Sequence, residues 1–196
     1  MKAFVLGEYM TRKMKVCLGA AALALCIVIA VFARSTLAVR ESPADYTALA
    51  EESPARQRAP DFTLTDWDGN TLRFSEIIAD GKPVVLNFWA SWCPVCRNET
   101  PGFDRVYRDR GGEIKFVMLN LTDGVRETVQ TGQRYIEEGG FALPVYFDTR
   151  QEGLIAYGIR FIPVTLFIDR EGYVVTSMSG ALSEETLRTI VDFLLL

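Results

Sequence analysis

The 196-residue chain contains no histidine. That absence excludes Ser-His-Asp and Cys-His nucleophile activation, c-type haem attachment through C-x-x-C-H, and nearly every catalytic zinc arrangement. Basic residues are in the minority, 21 Lys and Arg against 25 Asp and Glu for a net charge of −4. A nucleic-acid binder would need a basic face instead. Cysteine is sparse at four, and whatever chemistry these four perform proceeds without an imidazole. Internal repeats and low-complexity tracts are absent too. What is present suits one ordinary domain with an appendage: 49% of the residues are hydrophobic, enough for a real core.

Only one long apolar run occurs. Val16–Ala33 holds 18 residues without a charge, just long enough to cross a hydrocarbon core as a helix. Lys2, Arg12, Lys13 and Lys15 precede it against Glu8 alone, which places the N-terminus in the cytoplasm and the remainder outside. Residues 1–34 therefore read as a signal anchor with a single transmembrane helix. A cleaved signal peptide is the alternative, because Thr36-Leu37-Ala38 offers small residues at the required positions. Cys17 and Cys26 then serve as small apolar residues of that helix, and their spacing of nine positions on one helix forbids pairing. Residues 35–58 are polar, rich in Ala, Ser and Glu, and carry two prolines; they read as a flexible linker. Beyond residue 55 stand 15 basic and 20 acidic residues.

From residue 59 strand and helix signals alternate. Phe62–Leu64 and Thr71–Leu72, separated by Asp68-Gly69, predict a hairpin. Ser75 is a candidate cap for a short helix through Ile78. Val84–Ala90 is nearly continuous in apolar residues, the pattern of a strand buried on both faces. A helix over Pro94–Arg110 stopped by Gly111-Gly112, a strand over 114–121 and an amphipathic helix over Val125–Glu138 follow. Then come a strand at Val145–Phe147, a small helix ending at Leu154–Tyr157, a hairpin of Thr165–Asp169 with Val174–Met178, and a last helix capped by Ser183. This succession implies an α/β domain over 59–196 with a mixed central sheet flanked by helices.

Cys93-Pro94-Val95-Cys96 sits where the first long strand gives way to a helix. Cys93 falls near the helix N-cap, where unpaired N–H groups and the positive dipole end stabilise a thiolate. Pro94 in the first turn lacks an N–H that would have gone unused. The spacing brings Cys96 within bonding reach of Cys93, so the pair can cycle between dithiol and disulfide. A zinc knuckle needs two further ligands, and the other cysteines lie in the apolar run. A structural disulfide closing so short a loop would stabilise little.

Ala59-Pro60-Asp61-Phe62, the run Val85 to Pro101 around W-C-P-V-C-R, Phe161-Ile162-Pro163-Val164-Thr165 and Gly172 occur in one order. In this the chain resembles membrane-anchored thioredoxin-like thiol-disulfide oxidoreductases of the TlpA/ResA type. The resemblance implies a thioredoxin-like fold with an N-terminal β-hairpin and a central insertion, here between 121–124 and 141–144. It implies that Cys93 is the nucleophile and Cys96 the resolving thiol. Pro163 matches the cis-proline facing the dithiol, and the backbone of Ile162 the segment that pairs with an extended substrate. Glu99 matches the acidic residue near the pair; a carboxylate one turn beyond Cys96 can also handle that thiol's proton, the alternative being a solvated helix carboxylate. Trp92 matches the aromatic beside the dithiol, and Trp92, Pro94, Val95 and Ile162 are the substrate-facing candidates. Pro101 matches the proline inside the active-site helix. The chain departs in having Pro94-Val95 between the cysteines, since the family more often has proline directly before the second one. It also has Asn87 where thioredoxin has a buried aspartate, which shifts any proton relay to Glu99.

The expected function is reduction of disulfides in exported substrate proteins, apocytochrome c being the family's common case. Electrons would come from a membrane thiol carrier, without metal, nucleotide or flavin. Two other classes compete. A peroxiredoxin would use Cys96 as the peroxidatic residue, although Pro-x-x-x-Thr-x-x-Cys is broken by Trp89 and Cys93. A copper- or thiol-holding module would bind through soft thiolates without turnover.

Overall fold

Strand β3 (Val84–Trp89) is buried along its whole length, and its period of two divides the core. Val85 and Trp89 enter one apolar cluster, with Phe116, Met118 and Phe167 from the neighbouring strands. Val84, Leu86 and Phe88 enter the other, with Val117, Leu119, Leu166 and Ile168. On its two sides β3 pairs in parallel with β4 (Lys115–Asn120) and antiparallel with β6 (Val164–Ile168). The computed structural model that shows this describes residues 57–196. The expected anchor, with Cys17 and Cys26, and the linker up to residue 56 lie outside the described residues. Among the described residues no helix is long and apolar enough to cross a membrane.

The sheet has seven strands in the order β2-β1-β5-β4-β3-β6-β7. Its outer members are the hairpin β1 (Thr63–Thr65) and β2 (Thr71–Arg73), then β5 (Val145–Phe147), and on the other edge β7 (Val174–Ser179). The parallel trio β3-β4-β5 and the antiparallel flanks make it mixed, as the alternation implies. One face is covered by α2 (Pro94–Arg110), α3 (Val129–Gly139) and α5 (Glu184–Leu195), whose apolar sides supply Phe103, Val106, Ile136, Leu187 and Val191. The hairpin, α1 (Phe74–Ile77) and α4 (Glu152–Ala156) cover the other.

Several element ends differ from the sequence expectation. The short helix starts at Phe74, with Arg73 as its cap and the Glu76 carboxylate accepting the Arg73 N–H at 2.9 Å. Ser75 does not cap it; its N–H and hydroxyl both go to Asp61, at 2.9 and 3.0 Å. Helix α3 begins at Val129 rather than Val125, because the Asp123 Oδ1 accepts the N–H groups of Val125, Arg126 and Glu127 and winds them into a tight turn. Pairing along β7 also reaches earlier than residue 59: Arg58 bridges Tyr173, and the Gln57 carbonyl accepts the Val174 N–H.

Phe88 is fully buried under the second layer, 5.5 Å from the Tyr157 ring. Phe88→Ala should therefore lower unfolding free energy by about 3–5 kcal/mol, read as a fall in urea midpoint at unchanged m-value.

Candidate active site

The parallel strand β3 ends at Trp89, and α2 starts five residues later at Pro94. Between them the chain turns tightly, the Cys93 N–H donating to the Ala90 carbonyl at 3.1 Å. Cys93 is the N-cap of α2: its backbone is extended and its sulfur accepts the Cys96 N–H at 3.2 Å. The sulfur thus stands where a serine or aspartate oxygen usually caps a helix. An N–H donor and the positive end of a 17-residue helix both favour negative charge at that position. In the form described, Cys93 and Cys96 are joined in a disulfide with their Cα atoms 5.3 Å apart. Cys93 is 4% exposed and Cys96 only 1%, so Cys96 is the more enclosed of the two residues. Trp92, Pro94 and Val95 are exposed beside the pair.

The second wall comes from the segment before β6. The Ile162–Pro163 bond is cis, as the resemblance implies. The Ile162 carbonyl oxygen lies 3.9 Å from the Cys93 sulfur. Pro163 is buried, and its carbonyl accepts the Gly180 N–H from the end of β7 at 2.9 Å. A hollow of about 440 Å³ opens beside Cys93, walled chiefly by Trp92, Leu121, Leu154, Ile159 and Ile162.

Beneath the dithiol lies a polar group of three side chains. Asn87 and Thr165 are partners in the β3–β6 register and face the same side of the sheet as Val85 and Trp89. There the Asn87 amide donates to the Thr165 hydroxyl at 2.9 Å and to Glu99 Oε1 at 3.1 Å. Glu99 Oε2 accepts the Leu182 N–H at 3.0 Å, from the segment leading into α5. Glu99 is 6% exposed, so it is not the solvated helix carboxylate of the alternative. Burial pushes its pKa up from 4.5 to about 7, against the two hydrogen bonds that hold it down. A carboxyl balanced near neutrality, one helical turn from Cys96, can take or give a proton at physiological pH.

Sequence reasoning missed a second buried carboxylate. Glu127 is fully buried; its Oε1 accepts the Ser91 N–H at 3.0 Å and the Asn120 amide at 2.7 Å, and its Oε2 the Ser91 hydroxyl at 2.7 Å. It clamps the turn before Cys93 to the end of β4 and to the 123–127 turn. That turn in turn carries Arg126, whose guanidinium lies 3.5 Å over the Trp92 ring. The Asp123-Gly124 pair signalled a turn, but nothing local distinguishes Glu127 from an exposed helical acid. Pro101 is likewise inside α2 as expected. Its missing N–H leaves the Arg97 carbonyl without the usual helical donor, and the Tyr135 hydroxyl donates to it at 3.4 Å.

Cys96, the residue a peroxidase reading would need accessible, is the more buried sulfur. Among the described residues no group of three or more Cys, Asp or Glu is placed to hold a metal ion.

Comparison with known proteins agrees with this geometry. Residues 55–177 match the sequence profile of the AhpC/TSA family. The chain is 31% identical over 150 residues to the thiol-disulfide oxidoreductase ResA of Halalkalibacterium halodurans, covering 74% of this chain and 81% of that protein. Identity to ResA of Bacillus subtilis is 30% over 137 residues, 69% and 73% of the two chains. Among solved structures, a thiol:disulfide interchange protein of the thioredoxin family from Chlorobium tepidum superposes with a TM-score of 0.63 at 26% identity, covering 74% of this chain and 99% of that one. StoA from Bacillus subtilis gives 0.58 at 25% identity, with coverage of 67% and 96%. The expected thioredoxin-like fold is the one observed.

Two predictions follow from the buried carboxylates. Glu99 binds its proton more tightly folded than unfolded, so the native state holds the extra proton between pH 4.5 and about 7. Its contribution to stability is therefore lost as pH rises through that window, by on the order of 3 kcal/mol. Glu99→Gln should flatten this fall in denaturation midpoints measured with the disulfide intact, and should remove the step near neutral pH from the exchange-rate profile. Glu127→Ala would strand the Ser91 donors and the Asn120 amide. It should lower unfolding free energy by about 2–4 kcal/mol and speed amide exchange at Ser91.

Proposed function

We propose, from the premise that this chain belongs to the AhpC/TSA family and is a thiol-disulfide oxidoreductase, that it works outside the cytoplasm as a reductant of disulfides in exported proteins. The Cys93 thiolate attacks one sulfur of a substrate disulfide. A mixed disulfide forms and the other substrate sulfur leaves as a thiolate, taking a proton. Cys96, deprotonated with Glu99 as the acceptor, then attacks the Cys93 sulfur and releases the second substrate thiolate. The substrate gains two electrons from the pair and two protons, one relayed from Cys96 through Glu99 and one from water, and the pair ends as the Cys93–Cys96 disulfide. A second dithiol must reduce it again. The chemistry is complete in sulfur and protons, without metal, nucleotide or flavin.

The observation that carries this reading is the Cys96 N–H donated to the Cys93 sulfur at the head of α2, with that sulfur facing Ile162. Among the described residues Ile162 makes no backbone hydrogen bond, which leaves its N–H free and its carbonyl open to an added substrate strand. Trp92, Pro94 and Val95 would line the approach of that strand. The positive residues before Val16–Ala33 support an anchor with the domain on the outer side. Electrons would then arrive from a membrane thiol carrier, and apocytochrome c is a candidate substrate.

Cys96→Ala is expected to accumulate a mixed disulfide between Cys93 and its partner in cells, and Cys93→Ala to trap none. Failure to recover any such adduct under non-reducing electrophoresis counts against the mechanism. A reduction potential near about −270 mV would mark a reductant, whereas one near −120 mV would overturn that direction.

A further inference from the structure

The surface around Cys93 has a composition that disulfide exchange alone does not require. Trp92, Val95 and Phe161 are 37%, 40% and 61% exposed there. Large apolar side chains left in water at a reactive site mark a binding surface. Three arginines, all exposed, border the same surface. Arg160 lines the hollow beside Cys93. Arg126 lies 3.5 Å over the Trp92 ring. Arg97, the residue after Cys96, lies 5.0 Å over Tyr135 and donates to the Ser91 carbonyl.

None of the three has an ion pair among the described residues, whereas cations elsewhere commonly do: Arg105 pairs with Glu184 at 2.7 Å and Arg188 with Asp109 at 2.7 Å. The background makes the contrast sharper, since beyond residue 55 acids outnumber bases 20 to 15. Asp123 is the one carboxylate lining the hollow. Its Oδ1 already accepts the N–H groups of Val125, Arg126 and Glu127. A guanidinium stacked by its flat face keeps its N–H edge available for a carboxylate. The stacking of Arg126 and the Glu127 clamp hold that edge in place before any ligand arrives, which reduces the ordering cost of binding.

We infer that the Cys93 face selects substrate segments carrying both an apolar side chain and a carboxylate beside the target cysteine, through the Trp92–Phe161 hollow and the Arg97, Arg126 and Arg160 rim. This rests on the exchange reading and names its substrate class. The apolar side chain fills the hollow while the extended backbone runs along Ile162, and the acid meets the rim. Because the arginines are exposed, their effect falls on encounter and on salt dependence more than on the chemical step.

The test is single-turnover oxidation of the pre-reduced full-length chain, in detergent, by three peptide disulfides. Each has phenylalanine next to the cysteine and is flanked by Glu, Gln or Lys. The Glu peptide is expected to react about tenfold faster than the Lys peptide at low ionic strength, the ratio shrinking several-fold in about 0.5 M salt. Arg126→Glu combined with Arg160→Glu is expected to reverse the order, so that the Lys peptide becomes the faster. Equal rates for all three peptides in the unaltered protein, or a preference that survives both salt and charge reversal, would overturn the inference. Hydroxyethyl disulfide, which is neutral and small, separates the two levels. If it oxidises the protein while the peptides are not distinguished, only the selectivity falls. If neither it nor any peptide reacts, the exchange reading falls with it.

Discussion

The Cys96 N–H donated to the Cys93 sulfur joins the fold to its chemistry. A helix start leaves backbone donors without partners, and here one of them is directed at the atom that must carry charge. For the sulfur to stand there, α2 has to begin immediately beyond β3, and β3 has to be central and buried. Its apolar sequence secures this, because six consecutive buried residues are stable only with strands on both sides and helices on both faces. A thiolate stabilised in this way needs no imidazole, which is how a chain without histidine can run nucleophilic sulfur chemistry.

Around that bond the site is held by groups remote in sequence. Ile162 faces the outer sulfur across a cis-proline turn. Glu99 joins α2 to β3 through Asn87 and to the start of α5 through Leu182. Glu127 ties Ser91 to Asn120. Two carboxylates are thus buried within one site but in different states of supply. Glu127 has three donors and is fixed as an anchor. Glu99 has two donors and a pKa near 7, so it remains able to exchange its proton. The two differ in the number of donors their neighbours supply, not in residue type.

The outer surface follows another logic. Of the arginines around the dithiol, Arg97 and Arg126 rest on aromatic rings and Arg160 lines the hollow, while those on the α2–α5 side meet carboxylates. A surface arranged this way gathers positive charge without a direct ion pair at one place on an acidic domain, with Asp123 as the acid that feels Arg126. Exposed charges farther off than a Debye length, about 8 Å at physiological salt, are largely screened, so the acidic background weakens little of what a bound segment would feel.

Much of this was determined by sequence alone. The alternation of Val84–Ala90 with the Pro94–Arg110 helix, the Gly111 stop and the Ser183 cap are local signals, because propensity, capping and period are properties of a few neighbouring residues. They located the C-x-x-C pair at a helix head, and with it the chemistry. Tertiary structure decided what depends on partners far along the chain. Ser75 became a ligand of Asp61, fourteen residues away, instead of a cap; the turn at Val125–Glu127 is by contrast a local effect, since the Asp123 side chain competed for N–H groups two to four residues on. Glu99 and Glu127 look alike in sequence to the exposed acids of any helix or turn. Only the packing of β3, β4, β6 and the start of α5 removes them from water and supplies their donors. Burial and hydrogen bonding are sums over neighbours in space, and for these residues most of those neighbours lie far away along the chain.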